Sequence, residues 1–286
     1  MSLLTFFHTY LPSPIITTVG ALQLHWYGFF YLLSFLVGYG LLVHRLQKLK
    51  AEGNAATRIL YDRLPGFAAG LIVSGIIGAR LYHVATQWSY YQANLSEIPF
   101  LNHGGLAIHG GLLAGAIYIV WFSRRHLQPY LKPTAAFLFT ADLLAPVVLL
   151  GQAIGRWGNY FNQELFGLPT SLPWGIPIAL THRPVLYTAA THFHPVFFYE
   201  FLWDILGAAV LFLLQKIKSK RTLPGNGHIF SMYLIWMGLG RTLVELLRIE
   251  PTLMFFDIRI HLLTAIALTA AGIAFFTVAQ MQNRTV

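Results

Sequence analysis

Apolar residues in this chain run together rather than alternating with polar ones. Seven runs stand out, near 25–44, 64–86, 106–123, 134–156, 194–215, 227–248 and 260–280. Each is close to or above the ~20 residues that an α-helix needs to cross a hydrocarbon core. Strand-period alternation is absent from them, so they read as helices and not as the strands of a barrel. The pattern predicts an all-α, polytopic membrane protein with seven transmembrane helices, forming a single transmembrane domain over 1–286. Residues 157–193, rich in proline and containing Trp174, are expected to form an external loop segment. No internal repeat, low-complexity tract or second domain is evident.

Composition narrows the class further. Of 286 residues, 56% are hydrophobic and 10% charged, where a soluble domain carries roughly 25% charged residues. There is no cysteine, which excludes a disulfide framework, a thiolate nucleophile and a cysteine metal site within the chain. The opening MSLLTFFHTYLPSP lacks a basic leader and does not read as a cleavable signal peptide. The net charge of +9 fits either a nucleic-acid binder or a membrane protein with basic cytoplasmic loops, and its distribution decides. Thirteen of the 19 basic residues fall in the loops 45–63, 124–132 and 216–221 and at Arg284, all on one side of a seven-span thread. By the positive-inside rule the N-terminus is outside and the C-terminus cytoplasmic. Nucleic acid is then no longer needed to explain the charge.

The other six basic residues are all arginine: Arg80, Arg156, Arg183, Arg241, Arg248 and Arg259. Arg183 and Arg259 fall in external loops or at a helix edge. Arg80, Arg156, Arg241 and Arg248 fall within or at the ends of spans, where a charge near the bilayer centre costs at least ~2.5–3.5 kcal/mol and marks a functional site by default. Under the predicted orientation these four, together with Tyr27, His109, His194, Tyr199 and Glu200, gather in the outer half of the membrane, as a shared polar cavity would require. Arg241, Glu245 and Arg248 lie on one helix face at i, i+4, i+7; an ion pair that neutralises itself is the alternative reading, with more weight for the last two than for Arg241. Glu200 and Asp204, also at i, i+4, are available to pair with these arginines. Asp142 reads as a structural hydrogen-bonding group or an arginine partner. Arginine's rigid fork of donors suits phosphate, and arginine without lysine in this zone points to a phospholipid headgroup. In HGGLAIHGG (103–111), His109 is a candidate general base, and Gly110 and Gly111 permit a close approach of backbone or lipid.

GRWGNYFNQELFG (155–167) resembles the signature of the bacterial prolipoprotein diacylglyceryl transferases, and GGLAIHGG (104–111) is similar to another of their motifs. Further similarities are LHWYGFFY (24–31), GARLY (78–82), HP…YE (194–200) and GRTLVELLR (240–248), in the family's order along nearly the whole chain. The resemblance implies transfer of a diacylglyceryl group from phosphatidylglycerol to the lipobox cysteine of a prolipoprotein signal peptide, without cofactor or metal, in the bacterial inner membrane. It implies catalytic roles for His109, as base or substrate-orienting group, and for Arg156 and Arg241 as the phosphate-handling pair. It implies substrate-binding roles for Tyr27, Arg80, Asn159, Glu164, Gly167, Glu200, Glu245 and Arg248, the last two bracing Arg241. Tyr27 also reads as an interface-belt tyrosine. His103 stands where the family usually has an acidic residue, and is expected to tolerate substitution where His109 does not. Val196 and Phe197 replace polar residues, and Met237 stands where a tyrosine is frequent.

Other classes fit less well. A transporter would lead one to expect an inverted hydropathy repeat, which is absent. Span 7 holds no lysine for a retinal Schiff base, and no HExxH motif supports a metallohydrolase. A non-catalytic lipid binder is separated from an enzyme by the effect of His109 or Arg156 substitution on activity.

Overall fold

The computed structural model describes residues 3–20, 22–100, 104–219, 226–249, 254–256 and 258–284. His103, singled out in the sequence, lies outside them. In chain order the elements are α1 (Leu3–Thr9), β1 (Ile15–Val19), β2 (Leu22–His25), α2 (Trp26–Ala51), α3 (Ala55–Asp62), α4 (Leu64–Thr86), α5 (Trp88–Tyr91), α6 (Ile108–Leu127), α7 (Pro133–Phe161), β3 (Ile176–Pro177), β4 (His192–Phe193), α8 (Val196–Ser219), α9 (His228–Glu245), β5 (Met254–Phe255), β6 (Ile258–Arg259) and α10 (Ile260–Arg284). Every predicted span coincides with a helix. The helices run on past the predicted ends where loop residues keep good helix propensity, so Arg45, Lys48 and Lys50 belong to α2 and Phe161 to α7.

Among the described residues five helices are long and apolar enough to cross a membrane: α2, α4, α7, α8 and α10. The helices α6 and α9, of 20 and 18 residues, are less apolar. The first carries His109, Arg124, Arg125 and His126, the second His228, Ser231, Arg241 and Glu245. The strands are short antiparallel pairs, β1 with β2, β3 with β4 and β5 with β6, all outside the apolar helices.

The chain divides into two compact units, Met1–Leu41 with Asp142–Val286, and Leu42–Ala141. In the second unit, α4 crosses α6 at glycine. A Cβ on Gly78 or Gly110 would overlap the other's carbonyl oxygen or a neighbouring Cβ, and one on Gly111 would lie 3.2 Å from the Gly75 oxygen. Lipid offers no hydrophobic drive between helices, so such small-residue contacts supply the packing. Aromatic rings continue the seam, Phe67 against Phe122 at 4.7 Å.

In the first unit α7, α8 and α9 bury Ala145, Leu149, Ala208, Leu211 and Ile229 together. Trp203 and Trp236 lock α8 to α9: each indole N–H donates to the other's carbonyl at 3.1 Å, and the rings stack at 4.5 Å. Gly207 and Gly240 leave room for those rings. Pro146 sits inside α7 and has no N–H for the carbonyl of Asp142, one turn back. The Gln215 side chain of α8 donates to that carbonyl instead. The Asp142 carboxylate accepts the N–H groups of Gly227 (3.0 Å) and Phe230 (2.9 Å), capping α9 from another helix. Of the two readings of Asp142, the structural hydrogen-bonding one is therefore observed.

Candidate active site

Three sequence motifs of the first unit meet at the end of α7. After α7 the chain turns through Gln163 (φ 54°) and Leu165 (φ 57°), both in the left-handed region that costs L-residues about 1–2 kcal/mol each. The Gln163 side chain holds this turn, donating to the Pro12 carbonyl (2.8 Å) and accepting the Ala179 N–H (2.7 Å). The chain then passes between the other two motifs through two isolated β-bridges, Gly167 with Arg248 and Pro169 with Phe193. Gly167 N–H donates to His194 O at 2.9 Å, and Leu168 N–H to Leu247 O at 3.0 Å. A Cβ on Gly167 would sit 2.7 Å from the Leu247 oxygen and 2.9 Å from Val196 Cγ2. Only glycine fits this crossing.

Beside it lies a cluster of four arginines and three carboxylates. Arg156 of α7 meets Glu200 Oε2 at 2.9 Å and Asp204 Oδ2 at 3.5 Å, both on α8. Arg241 of α9 reaches Glu200 Oε1 at 3.7 Å and Glu245 Oε2 at 3.7 Å. Arg248 meets Glu200 Oε1 at 3.6 Å, and Arg259 meets Glu245 Oε1 at 2.9 Å. Arg259 also donates to the Arg248 carbonyl at 2.7 Å. Glu200 is thus the hub. It is 7% exposed at its side chain and Arg248 6%, whereas Arg156 and Arg241 keep 22% and 24%. Among the described residues the cluster sets four guanidiniums against three carboxylates, and the partly exposed Arg156 and Arg241 flank Glu200, where an incoming anion would meet both. A cavity of about 30 Å³ lies between Arg156, Glu200, Asp204 and Arg241, room for a single water molecule. Met237 also lines it, so the departure noted in the sequence falls on the site wall.

One helical turn after Arg156, Asn159 Nδ2 donates to the Tyr27 hydroxyl (2.7 Å) and to Glu164 Oε2 (3.1 Å). Asn162 donates to the other Glu164 oxygen at 3.3 Å. Gly158 lets the Tyr27 ring lie flat on α7, since a Cβ there would be 3.3 Å from the ring. Tyr27 is therefore tied into the signature by its hydroxyl, more than an interface-belt residue requires.

The structure brings Tyr27, Asn159 and Glu164 into one hydrogen-bonded chain. It brings Arg156, Glu200, Arg241, Glu245 and Arg248 into one ionic cluster, with Gly167 crossing between their motifs. The sequence left Asp204 as a possible partner and assigned Arg259 to an edge; both join the cluster. The i, i+4 spacing of Glu200 and Asp204 in an apolar run was the available signal for the first. Arg259 gave none beyond being an arginine outside the basic loops. The ion pair inside α9 is made by Glu245 with Arg241, while Arg248 turns to Glu200.

Arg80 and His109 belong to the second unit. His109 is exposed in the first turn of α6, its ring 6.0 Å from that of Tyr82. Arg80 is 8% exposed and donates to four backbone carbonyls of its own unit. Four of its five N–H groups are used there.

A family model described as prolipoprotein diacylglyceryl transferase matches residues 14–278. Proteins named phosphatidylglycerol–prolipoprotein diacylglyceryl transferase are similar along most of the chain. That of Parasynechococcus marenigrum (strain WH8102) is 40% identical over 242 residues, 84% of this chain and 81% of the relative. That of Synechococcus elongatus is 36% identical over 263 residues, 92% of this chain and 86% of the relative. That of Synechocystis sp. is 37% identical over 271 residues, 92% and 88%. With the motifs of the first unit folded into one site and both kinds of match running almost end to end, the chain belongs to the prolipoprotein diacylglyceryl transferase family.

Proposed function

We propose that this chain transfers the diacylglyceryl group of phosphatidylglycerol to the lipobox cysteine of prolipoprotein signal peptides, the first step of bacterial lipoprotein maturation. The thiolate sulfur bonds to the glyceryl carbon that carries the phosphate. The carbon–oxygen bond to phosphate breaks, and glycerol phosphate leaves with that electron pair. The thiol proton passes to a base, since the thiolate is the reactive form. The absence of cysteine from the chain is consistent with a nucleophile that arrives on the peptide.

The observation that carries this reading is the pair Arg156 and Arg241, set on two helices around Glu200 and still partly exposed. Negative charge builds on the departing phosphate oxygens, and fixed guanidinium donors stabilise it as it forms. In this reading Tyr27, Asn159 and Glu164 contact the headgroup. Glu245, Arg248, Asp204 and Arg259 hold the two active arginines in place, and Gly167 holds the motifs together. His109 is the base or orients the substrate. Seven helices cross the bacterial inner membrane as one transmembrane domain, α6 and α9 with the five more apolar ones. At about 1.5 Å per residue they are roughly 30 Å and 27 Å long, enough for the hydrocarbon core. The N-terminus is outside, the C-terminus cytoplasmic, and the active site is in the outer half, as the one-sided distribution of basic residues supports.

The test uses purified protein in detergent, phosphatidylglycerol and a peptide carrying a lipobox cysteine. A mass gain of one diacylglyceryl group on the cysteine, with glycerol phosphate released, is expected, and is lost in His109→Ala and Arg156→Ala. Binding of phosphatidylglycerol with no change in peptide mass would instead make the arginines a headgroup site without chemistry.

A further inference from the structure

Arg80 was expected to touch substrate, and its surroundings argue otherwise. Nε donates to Ile98 O at 2.8 Å, and Nη2 to Glu97 O at 2.8 Å. Nη1 donates to Gly104 O at 2.9 Å and Gly105 O at 3.1 Å. These carbonyls lie at the two ends of the segment that leads from α5 to α6. Among the described residues no carboxylate pairs with Arg80. The carboxylate of Glu97 accepts from Tyr90 instead, at 2.7 Å. The guanidinium is thus buried with its charge offset by carbonyl dipoles, and four of its five N–H groups are used on one stretch of backbone.

The glycines are shaped to this grip. Gly104 and Gly105 hold φ of +80° and +79°, a conformation that L side chains rarely adopt. A Cβ on Gly105 would also lie 2.7 Å from the His83 imidazole and run into Arg80 Nη1. Two residues later the Ala107 N–H donates to the carbonyl of Ala79, the neighbour of Arg80, at 3.0 Å. Ala107 is the N-cap of α6 and supplies no side-chain cap. The start of α6 is therefore set by Arg80 and Ala79 from α4. His109 follows within one turn, before the close contact of Gly110 with Gly78. With its first turn held at both positions the helix is fixed about its axis, which sets the direction in which the Cα–Cβ bond of His109 leaves the backbone.

We propose that Arg80 is a positioning residue: it clamps the approach to α6 so that His109 is presented in one orientation, and it does not bind the phosphate. This rests on the role given to His109 above. The test is made on the full-length protein in detergent with phosphatidylglycerol and a lipobox peptide. Arg80→Lys should lower kcat by ten- to a hundredfold and leave KM for phosphatidylglycerol within about twofold. In hydrogen exchange the Arg80→Lys protein should lose protection at residues 105–110 while α8 and α9 keep theirs. Gly105→Ala, which presses on the same clamp without altering charge, should repeat the kcat effect and the exchange effect. A tenfold rise in KM for phosphatidylglycerol with kcat unchanged would make Arg80 a lipid ligand and overturn the proposal. So would unchanged exchange at 105–110, or a normal kcat in Gly105→Ala. An active His109→Ala enzyme would defeat the reading of His109, while the exchange result would still report separately on the clamp.

Discussion

At the scale of single residues, the site is governed by shared charge. Glu200 forms ion pairs with three guanidiniums and is nearly inaccessible to solvent. Removing one member of a buried ionic group costs about 3–5 kcal/mol, because its partners keep their desolvation cost and lose their counter-charge. Glu200→Gln is expected to lower the thermal midpoint of the purified protein and to abolish transfer. Added glycerol phosphate should then raise the midpoint of the variant more than that of the parent, because the anion takes the place of the missing carboxylate. An equal shift in both proteins would remove the anion site from this cluster. Arg241→Lys is expected to lower kcat/KM by at least tenfold, since an ammonium cannot address Glu200, Glu245 and a phosphate with a planar fork. Turnover near that of the parent would mean that charge alone suffices at this position. The candidate residues themselves were legible from chemistry and resemblance, because a charged side chain in an apolar run is costly and therefore conspicuous. Their partners were not. The spacing offered Glu245 as a partner for Arg248 on the same helix face, and Arg248 meets Glu200 on a different helix.

At the scale of elements, two glycine devices carry the second unit. The first His-Gly-Gly triplet ends in two left-handed glycines, and the second places Gly110 against Gly78. The two triplets look alike in sequence and do different work. Gly110→Val would force α6 away from α4, an overpacking change worth typically 1–3 kcal/mol. The expected result is a lower thermal midpoint and transfer activity reduced at least tenfold, measured on the same purified sample. An undisturbed midpoint would show that α4 and α6 do not need this contact. The positions of the long helices were readable because a long apolar run favours a helix whatever its neighbours. The caps were not readable: Asp142 caps α9 from α7, and Gln215 serves the carbonyl that Pro146 leaves without a partner. Nothing in the local sequence of α9 announces a cap supplied about 85 residues earlier.

For the whole molecule, orientation is the property to test. The chain has no cysteine, so single cysteines report without background. Leu186, in the short 3₁₀ turn Val185–Tyr187, is 81% exposed, and Arg125 is exposed at the end of α6. In intact spheroplasts a membrane-impermeant maleimide is expected to label Leu186→Cys, and to label Arg125→Cys only after the membrane is opened. The reverse pattern would invert the topology and move the arginine cluster to the cytoplasmic half.

The sequence by itself determined the helical class, the positions of the long helices, the one-sided charge and the residue types of the site. Each of these follows from the cost of placing a given side chain in hydrocarbon, a property of the residue and its near neighbours. Only the tertiary structure decided which arginine faces which carboxylate, and that Arg80 holds backbone. It also decided which glycines permit a close approach and which permit a turn. Those outcomes depend on distances between helices far apart in sequence, where a shift of one ångström separates a hydrogen bond from a clash.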